Sequence, residues 1–269
     1  MSNRLDIFLV EKAYVKSRSK AKELVLNGSV SVNGKTAKKP SELVDEDCEI
    51  IISEDENQYV GRGAFKLKGA FECFDLSVKD KCCADIGAST GGFTQVLLEK
   101  GAKKVYAVDV GHGQLADELV SDKRVVNCEG VNVRNVTPEF FSDSIDFMCG
   151  DLSFISLRLV IPLLKECLAE NGEMIMLIKP QFEAGRTALN KKGIVRDKKD
   201  HLRVLQELSD FFNDCGLAVL GISPSPIKGG DGNIEYLAYL KKTDMPINSA
   251  GKINLKELVS SAFMNLNKS

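Results

Sequence analysis

From position 82 onward, short apolar runs of strand length alternate with longer stretches of helix length. The runs cover 82–86, 104–109, 125–128, 145–150, 174–178, 217–223 and 235–241. That rhythm predicts right-handed crossovers and a mostly parallel sheet with helices on both faces. The pattern before it is different. Leu5, Phe8 and Leu9, followed by "SRSKAKELVLNG", predict two short helices with a stop at Gly28. "SVSVNGKTA" alternates and turns at Asn33-Gly34, a strong hairpin signal, and "DEDCEIII" reads as a closing strand. The polar stretch "SEDENQYV", from Ser53 to Val60, breaks the apolar pattern and marks a boundary. The expected division is a small module over 1–58, a large α/β domain over 59–244 and a C-terminal helix or tail over 245–269.

Composition changes this picture only through its distribution. Of 269 residues, 43% are hydrophobic and 28% charged, ordinary for a chain that buries a full core, and the net charge is -2. Yet residues 1–39 hold nine Lys/Arg against three Asp/Glu, and 41–56 hold eight acids and no base. A basic module followed by an acidic stretch is a patterned surface that the net charge hides. No apolar run is long enough to span a bilayer, and the first twenty residues lack a signal-type apolar core, so a cytoplasmic location is expected. The eight cysteines form no C-x-x-C and the chain has two histidines, so no metal site is expected and the thiols read as small buried residues.

The chemistry concentrates in the first strand–turn–helix–strand unit. A dinucleotide fingerprint needs glycine at the middle of G-x-G-x-x-G, where pyrophosphate approaches the backbone; here the three positions are Gly87, Ser89 and Gly92. A phosphate loop is excluded because Phe93 stands where lysine is required. What remains is Asp85 at the end of one strand, the loop "GASTGG", and Asp109 at the end of the next. An acid at the second strand end can accept both hydroxyls of a ribose, whereas one at the first strand end suits a cation and repels phosphate. S-adenosylmethionine has a ribose, an ammonium and a sulfonium and no phosphate, so it is favoured over NAD. The alternative is a degenerate nucleotide fold whose glycines serve only packing.

Five stretches in order, "ADIGASTGGFTQ", "YAVDVGHGQL", "GDLSFISL", "IKPQFEAGR" and "SPIKGGDGNIEYL", resemble the signatures of the TlyA family: hemolysin-A-type ribosomal RNA 2′-O-methyltransferases with an FtsJ/RrmJ-like domain. The segment from Arg4 to Val44 resembles the S4 RNA-binding domain of that family. Gln95 and His112 depart from the pattern, standing where an acid and a tyrosine are usual. The resemblance implies a Rossmann-like methyltransferase fold behind a small α+β S4 domain, S-adenosylmethionine as cofactor, and ribosomal RNA or ribosomal subunits as partner. Cytidine of 16S or 23S RNA is the implied target. FtsJ-like enzymes carry a Lys-Asp-Lys-Glu tetrad, whose matching residues are Lys66, Asp151, Lys179 and Glu235.

A ribose hydroxyl must be held in line with the donor methyl and its proton steered away. Lys179 is expected to stand closest to that hydroxyl as base or orienter, with Asp151 positioning it and Lys66 and Glu235 completing the charge network. Asp85, Gly87, Ser89, Thr90, Gly91, Gly92 and Phe93 are assigned to the methionine and loop side of the cofactor, Asp109 to its ribose and Asn132 to its adenine. Glu183 and Arg186 are candidates for shaping the substrate side. Arg4, Lys16, Arg18, Lys20 and Lys22 are the expected RNA contacts, since phosphate contacts give affinity without reading sequence. The competing readings are a non-catalytic RNA-binding protein, a membrane-active hemolysin and an NAD-dependent oxidoreductase.

Overall fold

Leu5, Phe8 and Leu9 fall on one face of helix α1 (Leu5–Glu11), and Ala21, Leu24 and Val25 repeat that spacing on α2 (Arg18–Leu26). All six are buried and face each other in a small core completed by Val30, Val44 and Ile50. A computed structural model describes residues 3–15, 17–26, 29–52, 59–229, 232–243 and 253–265, so the expected helix stop at Gly28 lies outside the described residues. The chain divides after Arg62 into two units. In the first, β1 (Asn3–Arg4) pairs with β4 (Leu43–Val44). Strands β2 (Val30–Val32), β3 (Lys35–Thr36) and β5 (Ile50–Ile52) form an antiparallel sheet in the order β3-β2-β5. The β2–β3 hairpin turns at Asn33 and Gly34 with φ of 49° and 74°, the two left-handed residues that a type I′ turn requires.

The second unit is built on a seven-stranded sheet: β6 (Cys82–Ile86), β7 (Lys104–Asp109), β8 (Val125–Glu129), β9 (Ile145–Gly150), β10 (Leu168–Ile178), β11 (Leu217–Pro224) and β12 (Tyr236–Lys242). Their spatial order is β11-β12-β10-β9-β6-β7-β8. Every residue of β6 is buried, as expected of a central parallel strand covered on both faces. Parallel pairing runs from β10 through to β8, and β12 alone is antiparallel to both its neighbours. Among the described residues the helices of this unit are α3 (Gly63–Cys73), α4 (Gly92–Glu99), α5 (Asp117–Val120), α6 (Ile161–Glu166), α7 (Pro180–Glu183), α8 (Lys198–Asp214) and α9 (Leu255–Asn265). None of the described helices is long and apolar enough to cross a membrane.

Asp197 caps α8 by accepting the Lys199 N–H at 2.8 Å, and Val204, Leu205, Leu208 and Phe212 form its buried stripe. Leu255, Val259 and Ala262 of α9 join the same core, so the C-terminal segment packs as a helix. Strand limits differ from the sequence pattern in several places: β8 runs on to Glu129, β11 to Pro224 and β12 to Lys242. β10 begins at Leu168 rather than at 174, with a register shift between Leu168 and Glu173. The polar "AENG" there, with Asn171 at φ 60°, hides the earlier pairing from an apolar count. β12 begins one residue after Glu235.

Candidate active site

The carboxyl ends of β6, β7, β9 and β10 converge on one edge of the sheet. Asp85, next to the end of β6, is fully buried, and its Oδ2 accepts the Thr94 N–H at 2.9 Å and the Thr94 hydroxyl at 2.8 Å. It thereby satisfies a donor in the first turn of α4. Burial pushes its carboxyl up to about 7, against the pull of the Thr94 donors. The loop between β6 and α4 depends on two left-handed glycines. Gly87 has φ +85°, and a Cβ there would lie 3.0 Å from the Asp151 carbonyl oxygen. Gly91 has φ +98°, and a Cβ would run into Leu119 Cδ1. Ser89, between them, is also left-handed at φ 49°.

Asp109 closes β7 and ties two loops: Oδ2 accepts the Ser89 N–H at 2.8 Å and Oδ1 the Gly111 N–H at 2.7 Å. The next strand end does similar work. Glu129 accepts the consecutive N–H groups of Gly113, Gln114 and Leu115 at 3.0, 2.6 and 3.0 Å. The donors of Leu115, Gln114 and Gly113 draw its carboxyl down to about 2. Sequence reasoning ended that strand at Cys128 and missed this residue; an acid just past a strand end was the available signal.

Between these loops lies a cleft of about 450 Å³, within the range of small-molecule sites. Gly87, Ser89, Asp109, Asn132, Asp151 and Phe154 are among its lining residues. Asp85, Thr90, Gly91, Gly92 and Phe93 are not. Asp85 acts from behind the wall by fixing α4, and Phe93, 3% exposed, belongs to the core. The lining has two acids and neither Lys nor Arg, so it offers a phosphate no counter-charge. Each Asp109 oxygen already takes one backbone N–H and keeps a second lone pair for a ribose hydroxyl. This donor and charge set fits S-adenosylmethionine and disfavours a dinucleotide.

At one end of the cleft the four tetrad residues meet. Lys66 Nζ, from α3, lies 2.8 Å from Asp151 Oδ2 and 2.9 Å from Glu235 Oε2. Lys179 Nζ lies 2.6 Å from Asp151 Oδ1 and donates to Ser153 Oγ at 2.8 Å. The result is a line Glu235–Lys66–Asp151–Lys179 of alternating charge. Asp151 and Lys179 directly follow β9 and β10. Glu235 reaches them because β12 is reversed: Tyr236 pairs with Ile178, which sets the residue before β12 beside the residue after β10. Both lysines are 7% exposed and Glu235 2%. Burial works against the charges of Lys66 and Asp151, yet pairing outweighs it: Asp151 and Glu235 hold Lys66 above its ordinary value, and Lys66 and Lys179 hold Asp151 below its own. Asp151 Oδ1 and Glu235 Oε2 are enclosed and are met by the ammonium groups off-axis rather than by aligned hydrogen bonds.

Around this line, Glu183 accepts Ser156 Oγ at 2.7 Å and the Leu157 N–H at 2.8 Å, so it fixes the loop after Asp151. Arg186 lines a second cleft of about 530 Å³ with Gln181 and Phe182, and that cleft shares Phe154 and Ile155 with the first. Phe154 is 91% exposed at φ 62° and packs on Phe182 with ring centroids 5.3 Å apart. Sequence reasoning did not single out this exposed aromatic, whose backbone region is uncommon for a bulky residue.

A family model described as FtsJ-like methyltransferase matches residues 59–242, and an S4 domain model matches 3–50. The 16S/23S rRNA (cytidine-2′-O)-methyltransferase TlyA of Mycobacterium tuberculosis is 40% identical over 250 residues, 92% of this chain and 93% of that protein. The chain belongs to the TlyA family of FtsJ-like methyltransferases. A provisionally named rRNA methyltransferase of Bacillus subtilis, YqxC, is 47% identical over 88% of this chain and 85% of its own. A solved Streptococcus thermophilus structure that bears a provisional hemolysin name is 42% identical, with a TM-score of 0.81 over 99% of this chain and 98% of that one.

The S4 unit of this TlyA-family chain contains most of the expected RNA contacts. Arg4, Arg18 and Lys22 are exposed, Lys20 is half-buried with its Nζ donating to the Tyr59 carbonyl at 3.1 Å, and Lys16 lies outside the described residues. Arg4 and Arg18 share a partner that the sequence did not reveal, the buried carboxylate of Asp6.

Proposed function

We propose that this chain transfers a methyl group to the 2′-hydroxyl of a cytidine in ribosomal RNA, in the cytoplasm, with S-adenosylmethionine as donor. The observation that carries this reading is the buried line of Glu235, Lys66, Asp151 and Lys179 at the end of a cleft whose other wall holds Asp109. The names of the M. tuberculosis and B. subtilis relatives support the RNA class, and the former supports cytidine. When bound, S-adenosylmethionine supplies a methyl already activated by its positive sulfur.

The chain's own residues have two tasks. One is to hold the acceptor oxygen in line, and the other is to receive its proton. Lys179 is the residue assigned to both, as base or orienter: its Nζ, held by Asp151 and Ser153, hydrogen-bonds the hydroxyl and, as base, takes up the proton that the hydroxyl releases. Asp151 fixes that Nζ and stabilises the ammonium that results. Lys66 and Glu235 fix Asp151 in turn, so the acceptor group cannot swing away. Asp109 would hold the cofactor ribose and Asn132 would stand on its adenine side, while Gly87, without a Cβ, lets the loop pack against the Asp151 carbonyl. Phe154 gives an extruded base a face to stack on.

The test is transfer of labelled methyl to unmethylated 30S and 50S subunits by the full chain and by Lys179→Ala. Nuclease digestion and mass spectrometry then locate the label. The expected result is label on a cytidine ribose 2′-oxygen, lowered by about 10²–10⁴ in the variant, with cofactor affinity kept within a few-fold. Equal labelling by the variant removes Lys179 from the mechanism. Label on a base instead of a ribose overturns the reaction.

A further inference from the structure

In the S4 unit a single carboxylate is enclosed between two arginines. Arg4 Nε reaches Asp6 Oδ1 at 3.0 Å and Arg4 Nη2 reaches Oδ2 at 3.2 Å, while Arg18 Nη2 reaches the same Oδ2 at 3.0 Å. The Asp6 side chain is 0% exposed, whereas those of Arg4 and Arg18 are 44% and 54% exposed. The three residues come from different places. Arg4 is on β1, Asp6 is in the first turn of α1, and Arg18 opens α2.

One buried carboxylate needs one cation to offset its desolvation. This one has two, so the trio carries a net positive charge, and that charge lies on its exposed side. Arginine fixed by a carboxylate has already surrendered most of its side-chain freedom, so an incoming anion need not order it again. A guanidinium also presents a rigid fork of donors that matches a phosphate. The basic edge of the unit is therefore a preset pair of forks rather than a set of independent flexible cations.

We propose that Asp6 is a positioning residue for RNA, which holds Arg4 and Arg18 together as a preformed clamp for a backbone phosphate. The proposal rests on the RNA-binding reading above, and it predicts an effect whose sign opposes simple electrostatics. Asp6→Asn removes a negative charge from the RNA-binding unit, and if charge alone mattered the variant would bind RNA more tightly. If Asp6 positions the arginines, it binds more weakly.

The experiment is filter binding of the full chain to a protein-free, unmethylated 23S rRNA transcript, over about 50–200 mM salt. The expected result for Asp6→Asn is affinity lowered roughly 5- to 20-fold, with a shallower dependence of log K on log salt by about one contact. Cofactor binding, followed by calorimetry, is unchanged. A double-mutant cycle of Arg4→Ala and Arg18→Ala leaves Asp6 in place and covers the case in which the Asn variant fails to fold. In a clamp, either single change loses nearly as much as both together, whereas independent cations lose affinity additively. Additive losses, or an Asp6→Asn variant that folds and binds as tightly as the parent, overturn the clamp and leave RNA binding standing. If neither arginine affects binding, the RNA-binding reading itself falls.

Discussion

Asp85 is an acid with no cation paired to it among the described residues, and its replacement by asparagine should stabilise the protein in a pH-dependent way. In the folded chain its carboxyl keeps a proton up to about 7, whereas the ordinary value is 3.8. Between those values the folded state binds a proton that the unfolded state has released, so this residue makes stability fall as pH rises from about 4 to about 7. Above that range the loss is complete and constant. The gap between 3.8 and about 7 corresponds to roughly 4 kcal/mol as an upper bound. Asparagine is close in shape, its carbonyl oxygen can take over both Thr94 donors, and it does not titrate. Denaturant unfolding of parent and Asp85→Asn at about pH 4.5 and pH 8 measures the difference, read on the transition of the seven-stranded sheet. The variant should gain on the parent by several kcal/mol between the two pH values. A difference that does not change with pH would refute the reasoning, and so would a change of the opposite sign.

Other changes follow from the same packing. Lys66→Met deprives Glu235, 2% exposed, of an ammonium at 2.9 Å and should destabilise the unit by about 3–5 kcal/mol; adding Glu235→Gln should recover a good part of that, and additive losses in a denaturant double-mutant cycle would show the pair to be uncoupled. Gly91→Ala places a Cβ against Leu119 and, at 2.7 Å, against Leu115 Cδ1 in a left-handed backbone, so calorimetry should find a loss of at least about 2 kcal/mol. Phe154→Ala, at a site 91% exposed, should leave stability within about 0.5 kcal/mol yet slow transfer to RNA roughly 5- to 100-fold in single-turnover assays.

The parts of the site that could be read from residues alone obey a local rule. β6, β7 and β9 are buried on both faces, so they stand out as apolar runs, and Asp109 and Asp151 follow from where those runs end. Lys179 follows in the same way from β10, even though the start of that strand is hidden by "AENG". Lys66 and Glu235 are another matter. Lys66 sits on a helix before the first strand of the sheet, and the direction of β12 is written in no local pattern. Only the resemblance to a family pointed to them. Ser153 and Asp6 were invisible for the same reason, because each acts through partners that are brought close only by the fold.

The reversal of β12 also bears on how the protein is made. Lys66 emerges early during synthesis and Glu235 late, and the sheet strand that brings Glu235 to the site lies between β10 and β11 rather than at an edge. A nascent chain that has produced β6 to β11 therefore has a gap in its sheet, an unpaired β10 margin and an incomplete charge line. Joining these distant segments is a late, non-local step, of the kind that slows folding. Formation of the last inner strand and completion of the charge line become a single event, so a product truncated before Glu235 and β12 leaves Lys66 with one carboxylate partner fewer.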